Sequence, residues 1–576
     1  MESLKIKKTF WLLFIICIAT ILPFLGLSDY HTKGEPRESI VAYSMLESGN
    51  WILPRNNGGE MAYKPPFFHW CIASVSAVYG KVTEATSRIP SAIALIGMTL
   101  CGFVFFARRK GVKTALITSF ITLTNFELHR AGLNCRVDML LTALTVSALY
   151  LLYRWYEKGL KGLPWVAVLL MSLATLTKGP VGSIIPCLTM GIFLLLRGTG
   201  FFKALLLMSI CGLLSFILPF SWYAAAYRQG GQEFLDLMME ENIGRMTNTM
   251  SYNSCVNPWP YNFVTLIAGY TPWTLLALLS LFGLSYRKIN LFPTNLLYKF
   301  KLKIKESDPV NLFALASIIV IFVFYCIPQS KRSVYLMPIY PFIAYFLTKY
   351  LLYLTGRKAR AIKIYGHILA GTGVLLFILL LVIKSGLIPD SIFHGHRAQE
   401  KIDMLHGLKA IGGIGGWISV SLPVILGIYW WRYQSRYKTE TPTLFAVIAL
   451  TAGLYLALDG TYQPAVLNAK SVKHVAVEIN RIAPESEGVL YEFIAEGIHA
   501  AGDPIHYFEI NFYLGNRVDN FYAKRPSSGF LLIGERDAGA WLPEFEAEGY
   551  GFELLYTTPK RVAGDIARLY KFRKKS

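Results

Sequence analysis

Residues 88–107 read RIPSAIALIGMTLCGFVFFA, and Arg108, Arg109 and Lys110 follow directly. The only charged residue within this stretch is Arg88, at its first position. About twenty consecutive apolar residues are enough for a helix to cross the hydrocarbon core of a bilayer. The stretch therefore predicts a transmembrane helix with a basic cluster at one end.

Similar stretches recur along the 576 residues, and the composition agrees with them: 54% of the residues are hydrophobic, 16% are charged, and the mean hydropathy is +0.42. These values exclude a water-soluble globular protein. They predict a polytopic α-helical membrane protein with about thirteen transmembrane helices. The thirteen stretches lie at about 9–27, 88–107, 114–127, 137–153, 164–177, 181–197, 204–226, 261–285, 310–327, 333–354, 364–383, 411–431 and 443–459. The first resembles a signal peptide but lacks a small-residue cleavage site, so we interpret it as a retained anchor.

The formal net charge of +21 has two readings, an anionic macromolecular partner or membrane topology. With the N-terminus inside, the inner segments contain 25 Lys and Arg against five Asp and Glu. Basic residues concentrate on the cytoplasmic side of membrane proteins. The excess therefore indicates orientation and not nucleic acid binding. It predicts a cytoplasmic N-terminus and, with thirteen spans, a C-terminal region on the outer side of the membrane.

The chain divides into two predicted domains. Residues 1–459 form the transmembrane domain, with long outer segments at 28–87 and 227–260. Residues 460–576 form an extracytoplasmic α/β domain, because short β-rich runs occur among polar and helical stretches. The predicted strands are 488–494, 508–514, 529–534 and 551–557. Since this tail lacks a catalytic constellation, it suits an accessory recognition role.

The first outer segment contains Gly34-Glu-Pro-Arg-Glu38 and continues to Gly49. A proline suits the first turn of a helix and a glycine suits its end, so we predict a short helix at the outer interface. Asp29 and Glu35 lie just before its first turn. Two interpretations remain open for this stretch, an interfacial anchor with solvated charges or part of an active site.

Several cations fall on the outer side, where positive charge is least expected. Each one alone has an ordinary explanation: a lysine that snorkels beside aromatic residues, a loop cap, or an i, i+4 salt bridge between Glu241 and Arg245. Together they suit an anionic group at headgroup depth, such as a lipid phosphate. This set comprises Lys64, Arg136, Lys178, Arg245, Lys331 and Arg332.

The ordered outer segments resemble the GT-C glycosyltransferases of the protein O-mannosyltransferase and aminoarabinose-transferase (ArnT) type, glycosyltransferase family 39. The resemblance covers roughly residues 10–345. It rests on Gly34–Glu38 leading to Met45–Trp51, Tyr63-Lys-Pro-Pro66 through Trp70, Val137-Asp-Met139, Leu176–Gly179, Glu241–Arg245 and Tyr335–Pro338. The family carries an Asp-Glu pair in its first outer segment. This chain has Gly34-Glu35 there, so Glu35 matches while the aspartate position is glycine.

The resemblance implies sugar transfer from a polyprenyl-phosphate donor to an envelope acceptor, lipid A or protein, on the outer face of the membrane. It also implies a protein of the bacterial inner membrane whose C-terminal domain is periplasmic. Such a reaction needs a carboxylate near the acceptor and cations near the departing phosphate. The resulting hypothesis assigns catalysis to Glu35, Asp138 and Asp29, and the donor phosphate to Lys64, Arg245, Lys331, Arg37, Lys178 and Arg332. It assigns acceptor contacts or structural support to Glu241, Tyr63 and Trp70.

The expected partners are the lipid-linked sugar, its acceptor and membrane lipids, without nucleic acid. A divalent metal stays open, because the sequence shows no clear ligand cluster. Two alternatives also stay open. One is a lipid-linked oligosaccharide ligase, which differs in the size of its donor. The other is a transporter or flippase, which would be expected to show repeat symmetry and ionisable residues at mid-membrane depth.

Overall fold

The computed structural model describes residues 2–57, 59–244, 256–281, 304, 306–355, 359–395, 398–434, 440–494 and 505–575. Most of these residues form helices. The helices that precede the first large gap are α1 Glu2–Ile21, α2 Gly34–Ser48, α3 Phe67–Tyr79, α4 Glu84–Lys110, α5 Val112–Leu123, α6 Phe126–Leu133, α7 Val137–Glu157, α8 Trp165–Lys178, α9 Val181–Leu196 and α10 Phe201–Met239.

The remaining helices follow in chain order. They are α11 Tyr261–Gly269, α12 Trp273–Leu281, α13 Pro309–Cys326, α14 Tyr340–Thr355, α15 Ala359–Lys384, α16 Ala398–Lys409, α17 Gly413–Gln434, α18 Glu440–Ala457, α19 Gln463–Lys470, α20 Lys473–Ile482, α21 Phe508–Tyr513, α22 Phe521–Lys524 and α23 Glu535–Ala547. A π-helical turn, Glu240–Gly244, directly continues α10.

Every one of the thirteen predicted stretches contains helix. Within the described ranges, eight helices are long and apolar enough to cross a membrane, or nine if the pair α11 and α12, bent by 103°, is one span. Several others, such as α8 and α9, are apolar but shorter. The polytopic helical architecture is thus confirmed, and the number thirteen stays a prediction.

The helix predicted in the first outer segment is confirmed as α2. It ends at Gly49, whose φ of +68° is the left-handed conformation that a helix C-cap favours. The separation between the predicted stretches 164–177 and 181–197 is also confirmed, because α8 ends at Lys178 and α9 begins at Val181. A side chain at Gly182 would place its Cβ 2.4 Å from the α8 backbone, so the glycine permits the close approach of these two helices.

The C-terminal region contains a five-stranded sheet in the order β4-β3-β5-β7-β6. β3 pairs in parallel with β4 and β5, while β7 pairs antiparallel with β5 and β6. Its strands are β3 Leu490–Glu492, β4 Val518–Asn520, β5 Ser528–Gly534, β6 Tyr550–Thr557 and β7 Ala567–Lys574. An α/β region after the last span is thus confirmed, whereas the domain boundary at 459/460 stays a prediction.

One predicted strand is wrong. Residues 508–514 contain the helix α21. The apolar residues that suggested a strand instead pack into two clusters. Ile510 lies in the core of the C-terminal region, whereas Phe508 and Phe512 pack with Tyr30 and Ile40 of the first outer segment. Packing against a distant part of the chain therefore overrides local β-propensity here.

A small hairpin in the first outer segment completes the architecture near the candidate site. β1 Arg55–Asn56 pairs antiparallel with β2 Glu60–Met61, and the chain then runs into Tyr63 and Lys64. The hairpin contacts the C-terminal region through its turn, where Asn57 donates from Nδ2 to Glu492 Oε1 at 2.6 Å.

Candidate active site

Glu38 is the carboxylate around which the candidate site is organised. It lies on α2, and its side chain is 8% exposed. Its Oε1 accepts a hydrogen bond from Arg37 Nη2 at 2.8 Å and lies 3.9 Å from Lys64 Nζ. Its Oε2 lies 2.7 Å from His69 Nε2 on α3. Three basic side chains from three neighbouring segments therefore converge on one buried carboxylate.

These neighbours keep Glu38 ionised. Burial alone would raise the pKa of the Glu38 carboxyl, but Lys64, Arg37 and His69 together hold it well below its usual range. In turn the Glu38 carboxylate raises the pKa of the Arg37 guanidinium, although burial of Arg37 opposes this rise. The group is a fixed negative charge under cationic side chains.

The cations around Glu38 are more exposed than its carboxylate, which keeps a small open fraction. The Arg37 side chain is 41% exposed and that of Lys64 is 33% exposed. Tyr63 lies beside them and donates from its hydroxyl to Glu241 Oε1 at 3.0 Å, which connects this group to the π-helical turn after α10. An anionic ligand can therefore reach both Arg37 and Lys64 from solvent.

Glu35 lies in a different environment, one turn before Glu38. Its carboxylate receives two hydrogen bonds from Arg88, at 2.9 and 3.1 Å, and a third from the Cys135 backbone N–H at 2.7 Å. Both side chains of the pair are 1% exposed. Arg88 also donates to the carbonyl oxygens of Leu25 and Ser28. The pair joins α2 to the first residues of α4 and leaves Glu35 no open face.

Asp138 forms a second charged group with Lys178. Its Oδ1 accepts from Lys178 Nζ, and that ammonium lies 4.5 Å from the centre of the Tyr335 ring. Tyr335 in turn stacks on Tyr325. The structure thus brings together three of the motifs named in the sequence, Val137–Met139, Leu176–Gly179 and Tyr335–Pro338, at the first turn of α7.

The other predicted site residues occupy separate places. Asp29 pairs with Lys473 of the C-terminal region at 2.9 Å. Lys331 is buried and donates to the Asn257 carbonyl at 3.2 Å, while Arg332 is exposed. Trp70 donates from Nε1 to the Trp51 carbonyl at 2.7 Å, which links α3 to the loop that follows α2. Arg245 lies outside the described residues.

Sequence reasoning missed Glu38, His69 and Arg88. Glu38 was named only as the last residue of the Gly34–Glu38 motif, and Arg88 only as the first residue of a transmembrane stretch. One signal for Glu38 was available. Gly34, which occupies the family's aspartate position, and Glu38 are spaced i, i+4, so Glu38 lies on the same face of α2 as that position. Among the described residues, no group of three or more His, Cys, Asp and Glu side chains is arranged to hold a metal ion.

The sequence of the chain is similar to a family model and to several known proteins. A family model described as dolichyl-phosphate-mannose-protein mannosyltransferase matches residues 63–223. The chain is 27% identical over 338 residues to an uncharacterized protein of Aquifex aeolicus, which covers 58% of this chain and 62% of the relative. It is 23% identical over 380 residues to an undecaprenyl phosphate-alpha-4-amino-4-deoxy-L-arabinose arabinosyl transferase of Shewanella sediminis, covering 63% of each. The chain thus spans somewhat less than two thirds of the length of these two relatives.

The crystal structure of ArnT from Cupriavidus metallidurans bound to undecaprenyl phosphate superimposes with a TM-score of 0.67. The match covers 97% of both chains at 17% sequence identity. The chain has the GT-C fold of ArnT. The match includes both the transmembrane helices and the C-terminal α/β region, which confirms the predicted fold class. The family model and the relatives agree with the resemblance that the sequence motifs indicated.

A titratable contact also joins the C-terminal region to the hairpin. His506 Nδ1 lies 3.7 Å from Glu60 Oε1 and 3.9 Å from Glu492 Oε1, and its ring stacks on Phe508. Burial lowers the pKa of His506 and Lys33 opposes its protonation, yet Glu492 and Glu60 outweigh both and raise it above its ordinary value.

We expect this contact to stabilise the protein more at low pH than at high pH. Because the folded pKa of His506 is raised, its contribution is fully present below the unfolded value of about 6.5 and is lost as the pH rises through the folded value. The melting temperature of the wild type should therefore exceed that of His506→Gln by more at pH 6 than at pH 8.5. A difference that grows with pH would contradict this assignment.

Proposed function

We propose that the chain is a membrane glycosyltransferase that moves a sugar from a polyprenyl-phosphate donor to an envelope acceptor. The observation that carries the proposal is the ionised, buried Glu38 carboxylate beneath the accessible cations Arg37 and Lys64. The ArnT-like fold and the arabinosyl transferase relative support it. We further propose that the N-terminus is cytoplasmic and that the site opens on the outer face, because the inner loops carry most of the basic excess.

The chemistry requires one bond exchange. The acceptor oxygen forms a bond to the anomeric carbon of the sugar, and the bond from that carbon to the phosphate oxygen breaks. The polyprenyl phosphate leaves with an additional negative charge. Lys64 and Arg37 stabilise this charge through charge-assisted hydrogen bonds, which strengthen as the charge develops.

Glu38 acts on the acceptor side of the same step. In the free protein its cationic neighbours keep the pKa low, which makes it a weak base. When a donor phosphate binds Lys64 and Arg37, it shares their positive charge, and the pKa of Glu38 moves back toward its ordinary value. Donor binding thus prepares Glu38 to receive the proton of an acceptor hydroxyl. An acceptor phosphate is already ionised and needs Glu38 less.

The remaining candidates take supporting roles in this proposal. Glu35 positions α2 through Arg88, and Asp29 contributes to the contact with the C-terminal region. Asp138 and Lys178 are proposed to orient the acceptor at the N-terminus of α7. Arg245 stays a candidate for the donor phosphate, and Lys331 is proposed to fix its loop to Asn257. A metal requirement stays open.

Replacing Lys64 with Ala is expected to raise the donor KM by about ten- to a hundredfold, since hydrogen bonds to charged groups contribute about 1.5–3 kcal/mol. The test is release of polyprenyl phosphate by the purified full-length protein in lipid nanodiscs, with a polyprenyl-phosphate sugar as donor. Lys81→Ala is the matched control, because Lys81 is exposed in the same outer segment. Unchanged donor KM in Lys64→Ala would refute the assignment, and absence of any transfer by the wild type would refute the proposed function.

The acceptor is proposed to be lipid A or an envelope protein. Mass spectrometry of lipid A and of envelope glycoproteins from a strain that lacks the gene separates the two. Loss of a sugar from lipid A indicates an aminoarabinose-like reaction, and altered glycopeptides with unchanged lipid A indicate protein glycosylation. If both stay unchanged, neither acceptor assignment stands.

A further inference from the structure

A buried hydrogen-bond network joins the hairpin of the first outer segment to the C-terminal sheet. Asn57, Glu492 and Asn511 are 1%, 0% and 0% exposed. Asn57 Nδ2 donates to Glu492 Oε1 at 2.6 Å, and Asn57 Oδ1 accepts from Asn511 Nδ2. The second Glu492 oxygen accepts from the Tyr507 backbone N–H at 2.9 Å. Every oxygen of the Asn57–Glu492 pair is therefore satisfied, as a buried polar contact requires.

The position of this network in the sheet is informative. Glu492 is the last residue of β3, which runs parallel to β4 and β5. The carboxyl ends of parallel strands are where α/β sheets commonly bind ligands. Here Asn57 of the hairpin, 435 positions away in the same chain, occupies this end of the sheet. The carboxyl end of β3 therefore binds the hairpin.

The conformation of Asn57 shows that the hairpin is held in a defined shape. Its φ is +41°, a left-handed value that non-glycine residues seldom adopt and that asparagine tolerates better than most. The turn leads through β2 to Tyr63 and Lys64 within seven residues. A change in this turn therefore shifts the segment that carries the Lys64 ammonium.

The same C-terminal region also contacts the segment that carries Glu38. Phe508 and Phe512 of α21 pack with Tyr30 and Ile40, and Ile40 lies on α2 two residues after Glu38. Asn516, just after α21, donates to Ser44 Oγ at 3.0 Å. The C-terminal region thus holds both chain segments whose separation sets the distance between Glu38 and Lys64.

We propose that the C-terminal region is a working part of the donor site, and that Asn57 is the positioning residue through which it sets the place of Lys64. The inference rests on the proposed function and deepens it, because it assigns the C-terminal region to donor binding. A region that only recognised the acceptor would leave the donor KM unaffected. A region that only stabilised the fold would change the melting temperature without changing the donor KM.

An exchange of the amide and the carboxylate tests the proposal. Asn57→Asp places a carboxylate against Glu492 and is expected to raise the donor KM by at least about tenfold with kcat changed less than about threefold. In Glu492→Gln alone, the new amide nitrogen faces either the Asn57 amide or the Tyr507 N–H, both of which are donors. This variant is therefore also expected to raise the donor KM. In the double variant, the amide introduced at position 492 can donate to the carboxylate introduced at position 57 and still accept from the Tyr507 N–H. The donor KM should then return to within about threefold of the wild type.

Further variants keep the experiment decisive if the single charge change hinders folding. Asn57→Gly keeps the left-handed turn and removes only the hydrogen bonds, so it should raise the donor KM as well. Glu478→Gln, in an exposed ion pair on α20, is the matched control within the C-terminal region. Polyprenyl monophosphate binding to the same full-length proteins in nanodiscs provides a readout apart from turnover.

The outcomes separate the hypotheses. Raised donor KM in Asn57→Gly and recovery in the double variant support the proposal. An unchanged donor KM with a lowered melting temperature, or a change confined to the acceptor KM, would overturn it while leaving the proposed function intact. If the wild type neither binds polyprenyl phosphate nor releases it from the donor, the proposed function fails and this inference fails with it.

Discussion

Glu38→Gln is expected to lower sugar transfer to a hydroxyl acceptor by roughly a hundred- to ten-thousand-fold, the range that a positioned general base contributes. Glutamine retains the size of the side chain and an oxygen that accepts from Arg37, but it cannot take the acceptor proton. The loss should appear in kcat more than in the donor KM, because Lys64 and Arg37 remain. Steady-state release of polyprenyl phosphate by purified protein measures both parameters.

Two further variants sharpen this prediction. Glu47→Gln is the matched control, since Glu47 is an exposed glutamate on the same helix. Gly34→Asp in the Glu38→Gln background should recover at least about tenfold of the lost activity, because residue 34 lies one helical turn before residue 38. A Cβ at residue 34 would lie 3.3 Å from Arg136 Nη1, a flexible side-chain end that can move aside. Full activity in Glu38→Gln would exclude the proposed role.

Breaking the Arg88–Glu35 pair is expected to have the largest effect on stability. Arg88→Met leaves the buried Glu35 carboxylate without its bidentate partner and frees the carbonyl oxygens of Leu25 and Ser28. Removing one partner of a buried ion pair costs about 3–5 kcal/mol. The folded yield and the melting temperature in detergent should therefore fall steeply.

Variants of the Arg88–Glu35 pair also test whether Glu35 positions α2 or takes part in catalysis. Glu35→Gln should also lower the melting temperature, but the folded fraction should retain kcat within about tenfold of the wild type, because Glu35 has no face open to a substrate. Glu35→Leu combined with Arg88→Met should be less destabilised than the sum of the single variants, since no unpaired charge remains. A loss of kcat in folded Glu35→Gln as large as that in Glu38→Gln would return the catalytic assignment to Glu35.

Local sequence patterns predicted the features that depend on local physics. Apolar stretches located the helices, Gly49 located the end of α2, and the Lys178–Gly179 break separated α8 from α9. These features follow from helix length, backbone conformation and the cost of exposing polar groups in lipid. They need no knowledge of what lies nearby in space.

The contacts that build the site are distant in the sequence, which explains why sequence reasoning placed them only in part. Glu35 meets Arg88 across 53 positions, and Asn57 meets Glu492 across 435. The local pattern does not show that Glu35 faces the buried Arg88 while Glu38 faces the accessible Arg37 and Lys64. The rotation of α2 about its axis determines which glutamate faces which partner, and the packing of α2 against α3, α4 and α21 sets that rotation. The region 508–514 shows the same dependence, because its partners determined that it is a helix.

The position of a bound lipid phosphate shows directly whether Lys64 and Arg37 hold the donor. A cryo-electron microscopy structure of the full-length protein in nanodiscs with polyprenyl phosphate would locate it. We predict the phosphate within about 3 Å of Lys64 Nζ and of the Arg37 guanidinium, directly above the Glu38 carboxylate. A phosphate bound at Lys331 and Arg332, with Lys64 and Arg37 still directed to Glu38, would exclude Lys64 and Arg37 as the donor phosphate site.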